Sequence, residues 1–164
     1  MPAYLIRRLT RDDEPFLWEM LYHAVYVPEG HAAFQKDVVN EPEIARYVLG
    51  WGRAGDQGFA AVEESTSRAV GAAWIRLFTA ANKAYGYVAE DVPELSVALL
   101  PEYRNQGIGT SLMNRLIHAT GDQYRALSLS VSADNPAARL YKRLGFKVVE
   151  RVGTSLTMMK DCAT

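Results

Sequence analysis

The stretch from Glu94 to Leu112 limits the fold of this chain more than any other part of it. Glu94 to Leu100 is a nearly continuous apolar run of strand length, which predicts a central strand covered on both faces. It feeds a polar turn that ends in Gly107 and Gly109, at the start of a helix predicted over Gly107–Thr120. Ile108, Leu112, Leu116 and Ile117 recur at helical spacing and should face inward, with Gly121 closing the helix. The first N–H groups of a helix have no intrahelical partners, and the helix dipole favours negative charge there. Glycine lets backbone approach a ligand with no Cβ in the way. The junction is therefore suited to a phosphate or pyrophosphate, with Arg104 adding a cation at the same end. A tight strand-to-helix turn with no ligand is the competing reading of two glycines alone. No Gly-Lys-Ser/Thr is present, which excludes a P-loop, and Leu112 stands where a dinucleotide fingerprint needs its third glycine.

The rest of the chain arranges itself around that junction. Tyr4 to Leu9 reads as a first strand, and Thr10 or Asp12 as the cap of a helix whose apolar face is Phe16, Leu17, Met20, Leu21 and Ala24. Val27 to Gly30 breaks that helix and opens a loop to about Asn40. A second helix is predicted after Pro42, with Ile44, Tyr47 and Val48 on one face and Gly50 and Gly52 at its end. Gly58–Val62 and Ala69–Phe78 read as strands joined by a polar hairpin loop, Glu63–Arg68. Tyr85–Val88 is compatible with a short strand. Ala126–Val131 is a further strand, and Asn135-Pro136 starts a short helix with Ala137, Leu140, Tyr141 and Leu144 inward and Gly145 as its stop. Phe146–Val152 and Leu156–Lys160 form a closing hairpin.

At 164 residues, with no repeat and no Pro/Gly/Ser-rich linker, the chain fits one domain over 1–164. A net charge of −1 supplies no broad basic footprint, so a nucleic-acid partner is not expected. No stretch approaches the ~20 apolar residues that span a bilayer, so no membrane partner is expected either. The single cysteine, Cys162, has no partner for an internal disulfide, and no secretory apolar segment occupies residues 1–10, which together predict a cytoplasmic protein. No His, Cys, Asp or Glu cluster has metal-ligand spacing. Ser111, the serine nearest the glycines, belongs to the helix rather than to a nucleophile elbow.

Arg104-Asn-Gln-Gly107-Ile-Gly109 resembles the Arg/Gln-x-x-Gly-x-Gly/Ala signature of the GCN5-related N-acetyltransferases (GNAT). The segment from Asn135 through Tyr141 to Gly145-Phe146 resembles that family's later motif, a tyrosine-bearing helix ending in Gly-Phe. The resemblance covers roughly residues 57–150. It implies an α/β (α+β mixed) fold with a central mixed, mostly antiparallel sheet of about six to seven strands and about four flanking helices. It implies acetyl-coenzyme A as cosubstrate, its pyrophosphate cradled by the amides of about Gln106, Gly107, Ile108, Gly109 and Thr110, with Arg104 beside them. Val97 and Leu99 would offer backbone groups to the pantetheine and the acetyl carbonyl, Asn135 would contact the coenzyme, and Tyr141 would protonate its sulfur. A neutral phenol is protonated at pH 7 and so can serve as that acid. A tyrosine on an apolar helix face can equally be a packing residue with a locally bonded hydroxyl.

An attacking amine must be neutral, and Glu94 is the first candidate for its base, against the reading of a solvated strand-end charge. Glu29 and His31 are weaker candidates, while His23 and His118 read as surface or boundary residues. The resemblance puts the acceptor near Trp18, Tyr22, Tyr26 to His31, Tyr85 and Tyr87, though Trp18 also fits a core position. The expected reaction is direct acetyl transfer to a primary amine, of a small molecule first and of a protein or peptide N-terminus or lysine second. A non-catalytic acyl-coenzyme A binding module is the reading from another class. A homodimer is compatible with the family, and no sequence feature establishes one.

Overall fold

A computed structural model describes residues 3–162, so positions 1, 2, 163 and 164 of the expected 1–164 unit lie outside the description. Its strands are β1 (Tyr4–Arg8), β2 (Gln57–Glu63), β3 (Arg68–Arg76), β4 (Glu94–Leu99), β5 (Ala126–Ser132), β6 (Lys147–Val152) and β7 (Ser155–Asp161). They form one sheet in the order β1-β2-β3-β4-β5-β7-β6. Every neighbouring pair is antiparallel except β4 and β5. Four α-helices accompany it: α1 (Glu14–Ala24), α2 (Pro42–Ala45), α3 (Ile108–Thr120) and α4 (Ala137–Arg143). This is the mixed, mostly antiparallel architecture that the sequence motifs imply. The one parallel pair needs a crossover, and α3 is that crossover.

Burial follows the apolar periodicities. Leu17, Met20 and Leu21 anchor α1 over β4 and β3, while Ile108, Leu112, Met113 and Leu116 anchor α3 over β2, β3 and β4. The α1 entry is held by Asp13, whose carboxylate accepts from the Thr10 amide at 2.7 Å and pairs with Arg7 at 2.9 Å. Strand register assigns the faces of β4. Glu94 and Ser96 lie opposite Arg76 and Trp74, whereas Val97 and Leu99 lie opposite Ala73 and Gly71 and point towards α3.

Four expectations change. The second helix is only one turn long. Buried side chains take the carbonyls that would have continued it: the Arg76 guanidinium donates to Arg46 O at 3.0 Å and Leu49 O at 2.7 Å, and the Trp74 indole donates to Tyr47 O at 3.1 Å. Tyr85–Val88 is not a strand, because Tyr85 N–H donates to Tyr47 Oη, Gly86 N–H to Glu94 Oε1 and Tyr87 N–H back to Ala84 O. On α4 the buried alanine is Ala138 rather than Ala137. Finally, β4 is central but not fully covered, for Ser96, Val97 and Leu99 are only partly buried.

Candidate active site

That incomplete cover comes from a split in the sheet. β4 and β5 share a single register pair, Glu94 with Ser128, and part beyond it. The Leu100 amide donates to Val70 O on β3, so alternation directs the amides of Val97 and Leu99 the other way, into the gap left by β5. The backbone N–H groups of both residues therefore face the gap. Gly86 sits at the closed end of the gap, where a Cβ would come within 2.7 Å of the Leu129 backbone on β5. Only a glycine lets that loop lie against the strand.

A cleft of about 330 Å³ opens there. Glu94, Val97, Asn135 and Tyr141 all line it, so the structure gathers four of the expected site residues from β4, α4 and the loop before α4. One wall is apolar and comes from α1 and its surroundings, with Leu21, Ala24, Val25 and Ile44. Ser130, Ser132 and Ser155, from β5 and β7, also line the cleft, together with the apolar Leu129 and Val131. Glu94 is the one ionisable carboxylate among its walls.

Glu94 is 3% exposed, which removes the reading of a solvated strand-end charge. Burial pushes its carboxyl up to about 7, although hydrogen bonds from Tyr47 and the Gly86 amide and the nearby Arg46 charge pull the other way. Tyr47 Oη donates to Oε2 at 2.5 Å, and Gly86 N–H donates to Oε1 at 2.9 Å. Tyr141 packs its ring edge-on to Phe146, at 6.4 Å between centroids. Its hydroxyl has no hydrogen-bond partner among the described residues, and burial pushes it up to about 12. The reading of a locally bonded hydroxyl therefore does not hold. Asn135 Oδ1 accepts from the Ala137 amide at 2.9 Å just before α4, and its amide nitrogen donates to no described residue.

The glycine loop lies outside the cleft walls, at the start of α3. Gly107 is the N-cap with φ +85°, and Asn105 is also left-handed at φ 62°. No hydrogen bond reaches the amides of Gln106 to Thr110 from the described residues; the first such bond runs from Ser111 N–H to Gly107 O. A Cβ on Gly107 would meet nothing within 4 Å, so packing does not require glycine there. Unpaired amides on an open loop fit a pyrophosphate. Arg104 is exposed and donates to His23 O at 3.3 Å, tying the loop to the end of α1.

The aromatic candidates divide. Tyr26 and Tyr85 line the cleft. Trp18 donates to Glu14 on its own helix, Tyr22 donates to Phe34 O at 2.7 Å, and none of Trp18, Tyr22 and Tyr87 is a cleft wall. Glu29 and His31 are exposed and also outside it. His118 is exposed, and His23 is half-buried with its pKa lowered by burial and by Arg104. Cys162 is half-buried, away from the cleft, with its thiol pushed up by burial. Tyr47 is the residue that sequence reasoning missed. It reads as one apolar position among three, and nothing local marks its hydroxyl. Among the described residues no helix is long and apolar enough to cross a membrane, and no group of three or more His, Cys, Asp or Glu stands together as a metal site.

The acetyltransferase (GNAT) family model matches residues 8–146. An uncharacterized N-acetyltransferase of Methanocaldococcus jannaschii, MJ1207, is 31% identical over 160 residues, which cover 96% of this chain and 67% of that protein. An N-alpha-acetyltransferase of Sulfurisphaera tokodaii is 44% identical over 59 residues, covering 34% of this chain and 35% of that protein. The PaiA N-acetyltransferase of Thermoplasma acidophilum, solved in complex with coenzyme A, superposes with a TM-score of 0.67 at 20% identity, over 97% of this chain and 99% of that one.

Proposed function

Because the chain belongs to the acetyltransferase (GNAT) family and so is an acetyl-coenzyme A-dependent acyltransferase, we propose that it acetylates the primary amine of a small molecule by direct attack. One observation carries the reading of the acceptor: the cleft holds a single carboxylate, Glu94, among apolar residues and serines. A polycation would need several negative charges to offset its desolvation, whereas one amine needs one base. A small amine with both apolar and polar surface fits this lining.

The thioester supplies the acetyl group. The amides of Gln106 to Thr110, with Arg104, hold the pyrophosphate, and Asn135 contacts the coenzyme through its free amide nitrogen. Glu94 accepts the proton that the amine loses as the N–C bond forms. The amides of Val97 and Leu99 face the negative charge that develops on the carbonyl oxygen, a contribution of up to about 4 kcal/mol in comparable sites. Tyr141 then gives its proton to the sulfur as the C–S bond breaks. No acetylated side chain is needed.

A second reading, acetylation of a peptide α-amine, draws on the N-alpha-acetyltransferase of Sulfurisphaera tokodaii, which spans a third of this chain. One assay separates the readings: acetyl-coenzyme A turnover against an apolar amino-acid amide, phenethylamine, spermidine, a peptide with a free N-terminus and a peptide with one lysine. A higher kcat/KM for the small monoamines supports the first reading. Turnover confined to the free N-terminus replaces it with the second. Tight acetyl-coenzyme A binding with no turnover on any amine favours a binding module.

A further inference from the structure

Resting on the reading of Glu94 as the base, we propose that Tyr47 is a positioning residue for the reaction: relayed from the Tyr85 amide, its hydroxyl fixes the Glu94 carboxylate as a hydrogen-bond acceptor facing the cleft. The direction of the relay follows from what each group can do. A backbone N–H only donates, so the Tyr85 amide, 3.0 Å from Tyr47 Oη, takes up a lone pair on that oxygen. The Tyr47 proton is then free to go one way, to Glu94 Oε2 at 2.5 Å. The Gly86 amide donates to the other carboxylate oxygen. Both oxygens therefore receive protons in hydrogen bonds, an arrangement that favours the ionised carboxylate and leaves its remaining lone pairs for the amine.

Tyr47 is itself held rigidly. Its ring stands edge-on to Phe78 at 5.4 Å, and its carbonyl accepts from the buried Trp74 indole. The hydroxyl thus joins the segment after α2, the loop before β4 and the start of β4, three pieces that local sequence does not connect. Other groups face the same carboxylate. Arg46 lies beside Tyr47 with its guanidinium 5.1 Å from the Tyr85 ring centroid, Arg76 is opposite Glu94 on β3 but is committed to Asp56, and Ser128 is its partner on β5. Tyr26 and Tyr141 share the cleft. Of these, only Tyr47 donates a side-chain hydrogen bond to Glu94. Losing that bond should raise the carboxyl further above its present value near 7.

The test reads Glu94 directly, without an acceptor. In protein labelled with ¹³C at the glutamate carboxyl carbons, the Glu94 signal is assigned as the one missing from Glu94→Gln, and its midpoint is titrated. Tyr47→Phe should move that midpoint up by about one pH unit, the size expected for one hydrogen bond to a charged group. Replacing Tyr47 by 3-fluorotyrosine, a more acidic donor of nearly the same shape, should move it down. The fluorinated protein carries the test if Tyr47→Phe does not fold. The acid limb of kcat/KM, measured with the best amine of the panel above, should follow each shift, so that Tyr47→Phe loses about tenfold at pH 6 and recovers at alkaline pH. A packing role alone would leave both midpoint and limb in place. Glu94→Gln without activity, alongside Tyr47 variants that keep the wild-type midpoint and limb, overturns the role of Tyr47 alone. Full turnover by Glu94→Gln removes Glu94 from the reaction and the premise with it.

Discussion

Glu94 and Tyr141 share one cleft, yet burial moves them to opposite ends of the useful range: the carboxyl to about 7 and the phenol to about 12. A group near ambient pH suits a base, and one that stays protonated throughout suits an acid. Tyr141→Phe is therefore expected to lower kcat by about 100-fold, the usual contribution of a positioned acid, while calorimetry finds the acetyl-coenzyme A Kd unchanged. The same carboxyl affects stability. Its folded pKa lies above the ordinary 4.5, so the native state keeps a proton that the unfolded chain has released, and stability falls as pH rises from 4.5 to about 7. The loss is on the order of 3 kcal/mol above that window. Glu94→Gln lacks it. Denaturant unfolding should show the variant gaining about that much on wild type between pH 4 and pH 8, and an unchanged difference would contradict the buried carboxyl.

The loop-to-helix junction at α3 separates what folding needs from what a ligand needs. Gly107 is left-handed at φ +85° with open space where a Cβ would stand, whereas a Cβ on Gly109 would make only an ordinary 3.7 Å contact with Leu99. Gly107→Ala should cost about 1 kcal/mol in backbone strain and weaken acetyl-coenzyme A binding tenfold or more, because the new methyl group stands on the open side of the loop. Gly109→Ala should change neither quantity appreciably, and calorimetry with thermal unfolding on the pair checks both. At α2 two buried side chains decide the element, with the Trp74 indole taking the Tyr47 carbonyl. Arg76 and Asp56 pair at 2.8 Å, each side chain 1% exposed, and the other guanidinium bonds take the carbonyls after α2. The helix stops where Arg76 and Trp74 need it to, which turns Tyr47 towards Glu94.

Across the whole molecule, the split between β4 and β5 leaves strand amides without the partners that a continuous sheet would provide. A ligand that fills the gap should hold the two halves of the sheet together. Acetyl-coenzyme A at a hundred times its Kd should stabilise the protein by about 2.7 kcal/mol, visible as a rise in Tm. Dephosphorylated pantetheine, which cannot engage the loop at Gly107, should produce a much smaller rise at the same concentration. At the far edge, β6 is exposed along its length, including Val148, Val149 and Val152. The register shift between Val148 and Glu150, together with Lys147, Glu150 and Arg151, breaks that edge as a template for further pairing.

The order of strands and helices, the glycine turn before α3 and the tyrosine-bearing helix were all legible in the sequence, because each rests on local periodicity or on the backbone demands of a few neighbouring residues. Glu94 was legible as a candidate, but its burial was not. The tertiary structure decided that Glu94 would be desolvated, that the Tyr47 hydroxyl would meet it from 47 positions away, that α2 would end after one turn and that β4 and β5 would part beyond one pair. Desolvation and hydrogen bonding depend on which distant residues the fold brings together, and no short window of sequence contains that information.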